Sequence, residues 1–135
     1  MRTIRLLVTL LMVALCTGFT SCSDDNNEVK EGDKTLTLLV GTWEYTHEWS
    51  NTNGGTDVVV YTYQFNADKS YTYTETSDTS WHDYEENGTY NYYQDTKKLT
   101  LGDETGSYAV TILEISDNKL IIDDDGDVEE YTRKK

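Results

Sequence analysis

The sequence predicts an all-β domain, closed as a small antiparallel up-and-down barrel of about eight strands. Three observations predict it. From Trp43 onward there is no proline and no sustained helical periodicity, while Tyr, Thr and Val, which suit a pleated, half-buried surface, are abundant. Bulky and polar residues alternate with period two through most of that span. The alternating runs are separated by turns short enough for antiparallel neighbours in meander order. An open sheet of so many short strands would leave two exposed edges, and closure into a barrel removes them.

The domain begins at Leu38-Leu39-Val40-Gly41-Thr42-Trp43-Glu44-Tyr45, where a short apolar lead-in meets Gly-x-Trp. In the first strand Trp43, Tyr45, His47 and Trp49 alternate with Thr42, Glu44, Thr46 and Glu48, so one face is bulky and the other polar. Residues 50–56, with Asn53-Gly54-Gly55, form a turn. The second strand sets Val59, Tyr61, Tyr63 and Phe65 against Val58, Val60, Thr62 and Gln64. Asn66-Ala67-Asp68-Lys69 turns it into a third strand carrying Tyr71 and Tyr73, which makes a hairpin. A loop over 77–83 leads to a strand over 85–93, with Gly88, Tyr90 and Tyr92 on one face. A short strand follows at 97–101 and, after the turn at 103–106, a longer one at 107–115. The last of these is apolar on both faces, which calls for a bulge or for cover on both sides. Residues 119–122, a turn at Asp123-Asp124-Asp125-Gly126, and a strand over 127–133 complete the meander.

Residues 1–21 have the three parts of a secretory leader: Arg2 and Arg5, an apolar run from Leu6 to Leu15, then small residues before a cysteine. The run is interrupted by Thr17, Gly18, Thr20 and Ser21 before it reaches the ~20 apolar residues that span a bilayer core. Phe19-Thr20-Ser21-Cys22 resembles the lipobox of bacterial lipoproteins, and the resemblance implies cleavage before Cys22 and lipid attachment to it. Cysteine counting agrees. Cys16 leaves with the leader, so Cys22 has no intrachain partner, and acylation removes a thiol that would otherwise be exposed to an oxidising compartment.

Loss of Arg2 and Arg5 takes the formal charge from −14 down by two to −16. So acidic a chain is a poor partner for nucleic acid, which selects basic surfaces, and for anionic lipid headgroups. Residues 22–35 are polar and acidic and are expected to form a flexible tether, leaving 36–135 as the folded domain. The acids after Cys22 resemble the signal that sends Bacteroidota lipoproteins to the cell surface. An outer-membrane lipoprotein facing the periplasm, with 22–35 as a solvated linker, is the alternative.

The arrangement over residues 38–135 is similar to the lipocalin-like domains of Bacteroidota lipoproteins. The resemblance is carried by Leu39-Val40-Gly41-Thr42-Trp43, the hairpin from Tyr63 to Tyr71, Gly88-Thr89-Tyr90 and the closing Glu130-Tyr131-Thr132-Arg133. It implies that Gly41 and Trp43 are structural, closing one end of the barrel. The chain departs from a full lipocalin in being short, in lacking the long C-terminal helix and in having no disulfide.

Tyr45, His47, Trp49, Tyr61, Tyr63, Tyr73, Tyr90 and Tyr92 are the candidate lining of a cavity for a small apolar or amphipathic ligand. The competing reading makes them core, since side chains can fill an eight-stranded barrel. Buried phenols need hydrogen-bond partners, and a partly open interior supplies them readily. In the alternative function the barrel is a filled scaffold and its loops bind a protein partner, as an inhibitor or an accessory subunit of a surface assembly. No cofactor or metal is expected. His47 and His82 lie outside any ligand spacing, and the run 123–127 lacks the alternating ligands of a calcium loop. The sequence contains no nucleophile elbow or phosphate loop, so binding rather than catalysis is expected.

Overall fold

The computed structural model describes residues 31–79 and 83–135. The expected leader, Cys22 and most of the expected tether lie outside the described residues, as does His82. A helix, α1 (Glu31–Leu39), precedes eight strands: β1 (Gly41–Ser50), β2 (Thr56–Phe65), β3 (Ser70–Ser77), β4 (Tyr84–Tyr93), β5 (Lys98–Gly102), β6 (Ser107–Ile115), β7 (Lys119–Asp124) and β8 (Asp127–Arg133). Each strand pairs antiparallel with the next, and β8 returns to β1 to close the barrel. The fold expected from the alternation is the fold observed.

Residues 31–35 are helical, whereas the charges and Gly32 had placed them in the tether. A nine-residue helix of this composition is too short to hold itself together in water. It is held by the barrel: Leu39 is fully buried, Thr35 is 8% exposed, and Leu36 packs against the core at the barrel base. Tertiary burial outweighs weak local propensity here.

The core has two sides of different chemistry. Strands β5, β6 and β7 contribute Leu99, Leu101, Val110, Ile112, Leu120 and Ile122. Strands β1 to β4 and β8 contribute rings. Tyr63 stacks on Phe65 at 5.3 Å between centroids, Phe65 meets Tyr90 edge-on at 5.0 Å, and Tyr63 touches Tyr73 at 4.6 Å and Tyr131 at 5.5 Å. Pairs at these separations add attraction beyond the apolar area they bury.

Strand β6 is apolar on both faces because it carries a bulge. The register passes from Ile112↔Ile122 to Glu114↔Ile121, so Leu113 is the extra residue, and its side chain is 49% exposed. The extra residue reverses the phase, and Ile115 packs against the core opposite Leu120. At the β7–β8 corner a two-residue turn, Asp125-Gly126, has φ of 52° and 103° and links strands that pair up to Asp124↔Asp127. Positive φ at both central positions matches the right-handed twist of the flanking strands.

Candidate functional site

Among the described residues, the barrel is plugged by α1 at one end and carries a cleft at the other. At the base, the carbonyls at the C-terminal end of α1 are taken up by side chains. Trp43 Nε1 donates to Leu39 O at 2.8 Å, Arg133 Nη1 donates to Val40 O at 2.7 Å, and Arg133 Nη2 donates to Leu38 O. Gly41, with φ of 138°, gives the guanidinium its space. Both residues expected to close the barrel therefore sit at its helix-plugged end.

The opening follows from unequal pairing of β1. With β2 it forms an unbroken ladder from Gly41↔Phe65 to Ser50↔Thr56, but with β8 it pairs only at Trp43↔Arg133 and Glu44↔Thr132. Beyond Glu44 the two strands part, and the slot between them is a cleft of about 400 Å³ lined by Tyr45, His47, Trp49 and Tyr61 with Asp127, Val128 and Glu129. Tyr45 stacks on Tyr61 at 5.6 Å and 23°, and His47 lies 4.4 Å from Trp49. The buried ring of Tyr131 packs 5.6 Å from that of Tyr45.

The eight aromatic and imidazole positions singled out in the sequence divide among different places. Tyr45, His47, Trp49 and Tyr61 meet in the slot. Tyr63 and Tyr90 are core, at 6% and 2% exposure, and Tyr73 packs half-buried against them. Tyr92 lies near the base, in a groove with Lys34, Thr35 and Leu38 of α1. The interior is thus packed with rings; besides the slot at the mouth, grooves of about 410 Å³ and 320 Å³ lie against α1 at the base, the first edged by Tyr90 and Lys69.

Inward phenols find their partners within the chain. Tyr90 donates to Asn66 O at 2.7 Å, and the hydroxyls of Tyr63 and Tyr108 are 3.3 Å apart. Tyr73 donates to Glu75 at 2.8 Å, Tyr131 to Glu129 at 2.8 Å, and Tyr71 to Glu86. Glu75, Glu86 and Glu129 were missed as site residues. Each continues the inward phase of its strand two residues from an inward tyrosine or glycine, and following the alternation past the rings would have found them. Burial raises the Glu129 carboxyl above its ordinary range; Asp124, Asp127 and Glu75 push it further, against the Tyr131 hydrogen bond. Burial likewise raises Tyr61, with Glu75 and Glu129 adding to the shift.

Among the described residues no group of three or more His, Cys, Asp or Glu side chains converges as a metal site would require. The arrangement presents aromatic faces and separated carboxylates around a solvent-open slot, which is the chemistry of a binding surface.

A helix-plugged, ring-filled barrel with an open mouth places the molecule among the small β-barrel proteins whose fold typically serves binding. The chain belongs to the lipocalin-like domain family, whose model matches residues 39–122, more than half of the sequence. Among solved structures it is similar to a lipocalin-like protein from Bacteroides uniformis ATCC 8492, with a TM-score of 0.50 at 15% identity, covering 73% of this chain and 99% of that one. At that identity the likeness is one of fold. No curated protein matches the chain.

Proposed function

We propose that this is an exported, lipid-anchored binding protein that holds a small amphipathic molecule in the β1–β8 slot. The slot carries the reading. It is the place where the barrel ladder is broken, it has ligand-sized volume, and its walls are aromatic faces with polar tips. Anchoring through Cys22 rests on the leader pattern and the lipobox resemblance, and placement at the cell surface rather than facing the periplasm rests on the resemblance of the acids after Cys22 to a surface-export signal. No helix among the described residues is long and apolar enough to cross a membrane.

Native mass spectrometry of the protein purified gently from its own host tests the binding half. An added mass that is retained natively and released on denaturation is expected, and a bare mass under both conditions contradicts it. Metabolic labelling with a fatty-acid analogue tests the anchor. Label should be incorporated and should disappear in Cys22→Ala, and label that persists in the variant rules the assignment out.

A second reading, a protein-interaction module, is favoured by one observation. Trp49, Tyr84, Tyr108 and Val128 are 37–60% exposed and all belong to the open end of the barrel. Under that reading, substitutions in 51–56 or 78–83 abolish capture of a protein partner while Tyr61→Ala does not. Under the slot reading, Tyr61→Ala alters small-molecule binding and the loop changes do not.

A further inference from the structure

The basic residues of the barrel are sorted by end. In an up-and-down meander, successive turns fall on alternate ends, so the topology fixes which end each residue occupies. Lys34 is on α1; Lys69 and Lys97 line grooves against α1; Lys98 and Lys119 begin β5 and β7; Arg133 ends β8, and Lys134 and Lys135 follow it. All of these lie at the helix-plugged base. No lysine or arginine among the described residues lies at the mouth. Acids occur at both ends, with Glu44 and Glu114 paired to Lys134 and Lys119 at the base, whereas at the mouth Glu75, Glu86, Asp124, Asp127 and Glu129 continue the inward phase of β3, β4, β7 and β8 with no basic side chain among the described residues beside them.

We infer that the slot between β1 and β8 is a site for a small organic cation, an amine or quaternary ammonium carrying an apolar body. The inference rests on the slot reading above and names its ligand class. The carboxylates of Asp127 and Glu129 form one wall of the slot, and Tyr45, Tyr61, His47 and Trp49 form the other. A cation between them meets full negative charge on one side and the electron-rich faces of phenol and indole rings on the other. Phenol donation from Tyr131 to Glu129 satisfies a lone pair without neutralising the charge.

A metal ion fits this arrangement poorly, because the carboxylates do not converge on a common point. An anionic amphiphile fits worse, since the basic residues are at the opposite end and the mouth repels it.

Isothermal titration of the detergent-solubilised full-length protein tests the inference, with phenyltrimethylammonium, its neutral isostere tert-butylbenzene and phenylpropionate as probes. The cation should bind saturably, the neutral isostere at least about tenfold more weakly, and the anion not at all. Glu129→Gln and Asp127→Asn should each weaken the cation several-fold without changing the response to the neutral probe. The rim variant is informative even if the half-buried one fails to fold. Trp49→Ala should weaken it by about two- to fivefold. Equal binding of cation and isostere, insensitive to both acid substitutions, overturns the cation assignment and leaves the slot standing as a binding site. Absence of binding by any probe, in a sample that native mass spectrometry shows to be bare, overturns the slot reading and the cation assignment together.

Discussion

The guanidinium of Arg133, near the C-terminus, lies 4.2 Å over the ring of Trp43 near the start of β1, and the two residues are also partners in the ladder that closes the barrel. Together they receive three consecutive carbonyls at the end of α1, from Leu38, Leu39 and Val40. A cation is well placed at a helix C-terminus, where the partial charge is negative. One residue therefore joins helix, first strand and last strand.

Arg133→Ala should destabilise the domain by about 3 kcal/mol, the combined effect of charge-assisted hydrogen bonds and a cation–π contact. Arg133→Lys should recover little of this, because an ammonium lacks the planar fork that reaches two carbonyls while covering a ring. Urea denaturation midpoints measure both. A lysine variant as stable as the parent would show that charge alone matters there.

Gly88 and Gly41 are required by close approach, and Gly106 is not. At Gly88, opposite Tyr71 in the ladder, a Cβ would stand 2.3 Å from Gly102 O and 2.9 Å from the Tyr71 ring. At Gly41 it would stand 2.2 Å from Arg133 Nη1, at a φ that L-residues rarely adopt. Gly88→Ala and Gly41→Ala should each cost about 2 kcal/mol or more. At Gly106 a Cβ meets nothing within 4 Å, and Gly106→Ala should stay within about 0.5 kcal/mol of the parent. Thermal melts of the three variants give the comparison, and equal shifts in all three would refute the packing argument.

High pH should unfold the protein through its buried phenols. Burial raises the pKa of Tyr63 and of Tyr131, reinforced for Tyr131 by the Glu129 carboxylate and for Tyr63 by Tyr108. Above about pH 10 the unfolded chain releases these protons while the folded chain keeps them, so stability falls as pH rises by up to about 1.4 kcal/mol per unit for each group. Absorbance of phenolate and far-ultraviolet circular dichroism, followed together, should show the last tyrosines ionising only as the sheet signal is lost. Smooth ionisation of all eleven tyrosines with the sheet intact is the contrary result.

Most of the barrel was legible because period-two alternation is a local signal that survives without knowledge of partners. The bulge at Leu113 could be anticipated for the same reason, since Val110, Ile112 and Ile115 cannot share one face of a regular strand. Helix α1 was not legible. Its stability comes from the barrel base beneath Leu36 and Leu39 and from Arg133, ninety-odd residues away in the chain. The slot was half legible. Tyr45, His47, Trp49 and Tyr61 are visible as one bulky face, but that β8 leaves β1 after two pairs is a property of closure, which no single strand encodes. The inward glutamates were legible in phase. They were passed over because acids abound in the chain and usually mark solvent.

Glu129 joins stability to the proposed ligand. Burial, with Asp124, Asp127 and Glu75 nearby, raises its pKa in the folded state. The fold therefore binds that proton more tightly than the unfolded chain does. The favourable contribution is present at low pH and is lost as pH rises from the ordinary carboxylate range through the raised value. At about pH 7 the charged carboxylate opposes folding, by less than about 1 kcal/mol, because the half-buried group remains screened by solvent. Glu129→Gln keeps an acceptor for the Tyr131 hydroxyl and removes the charge. It should raise the denaturation midpoint near pH 7, and the difference from the parent should vanish at about pH 3, where Glu129 is protonated in both states. Saturating phenyltrimethylammonium should narrow the neutral-pH gap, because a cation in the slot stabilises the charged parent more than the glutamine variant, which binds it several-fold more weakly. A gap unchanged between acid and neutral pH would show that Glu129 carries no such penalty.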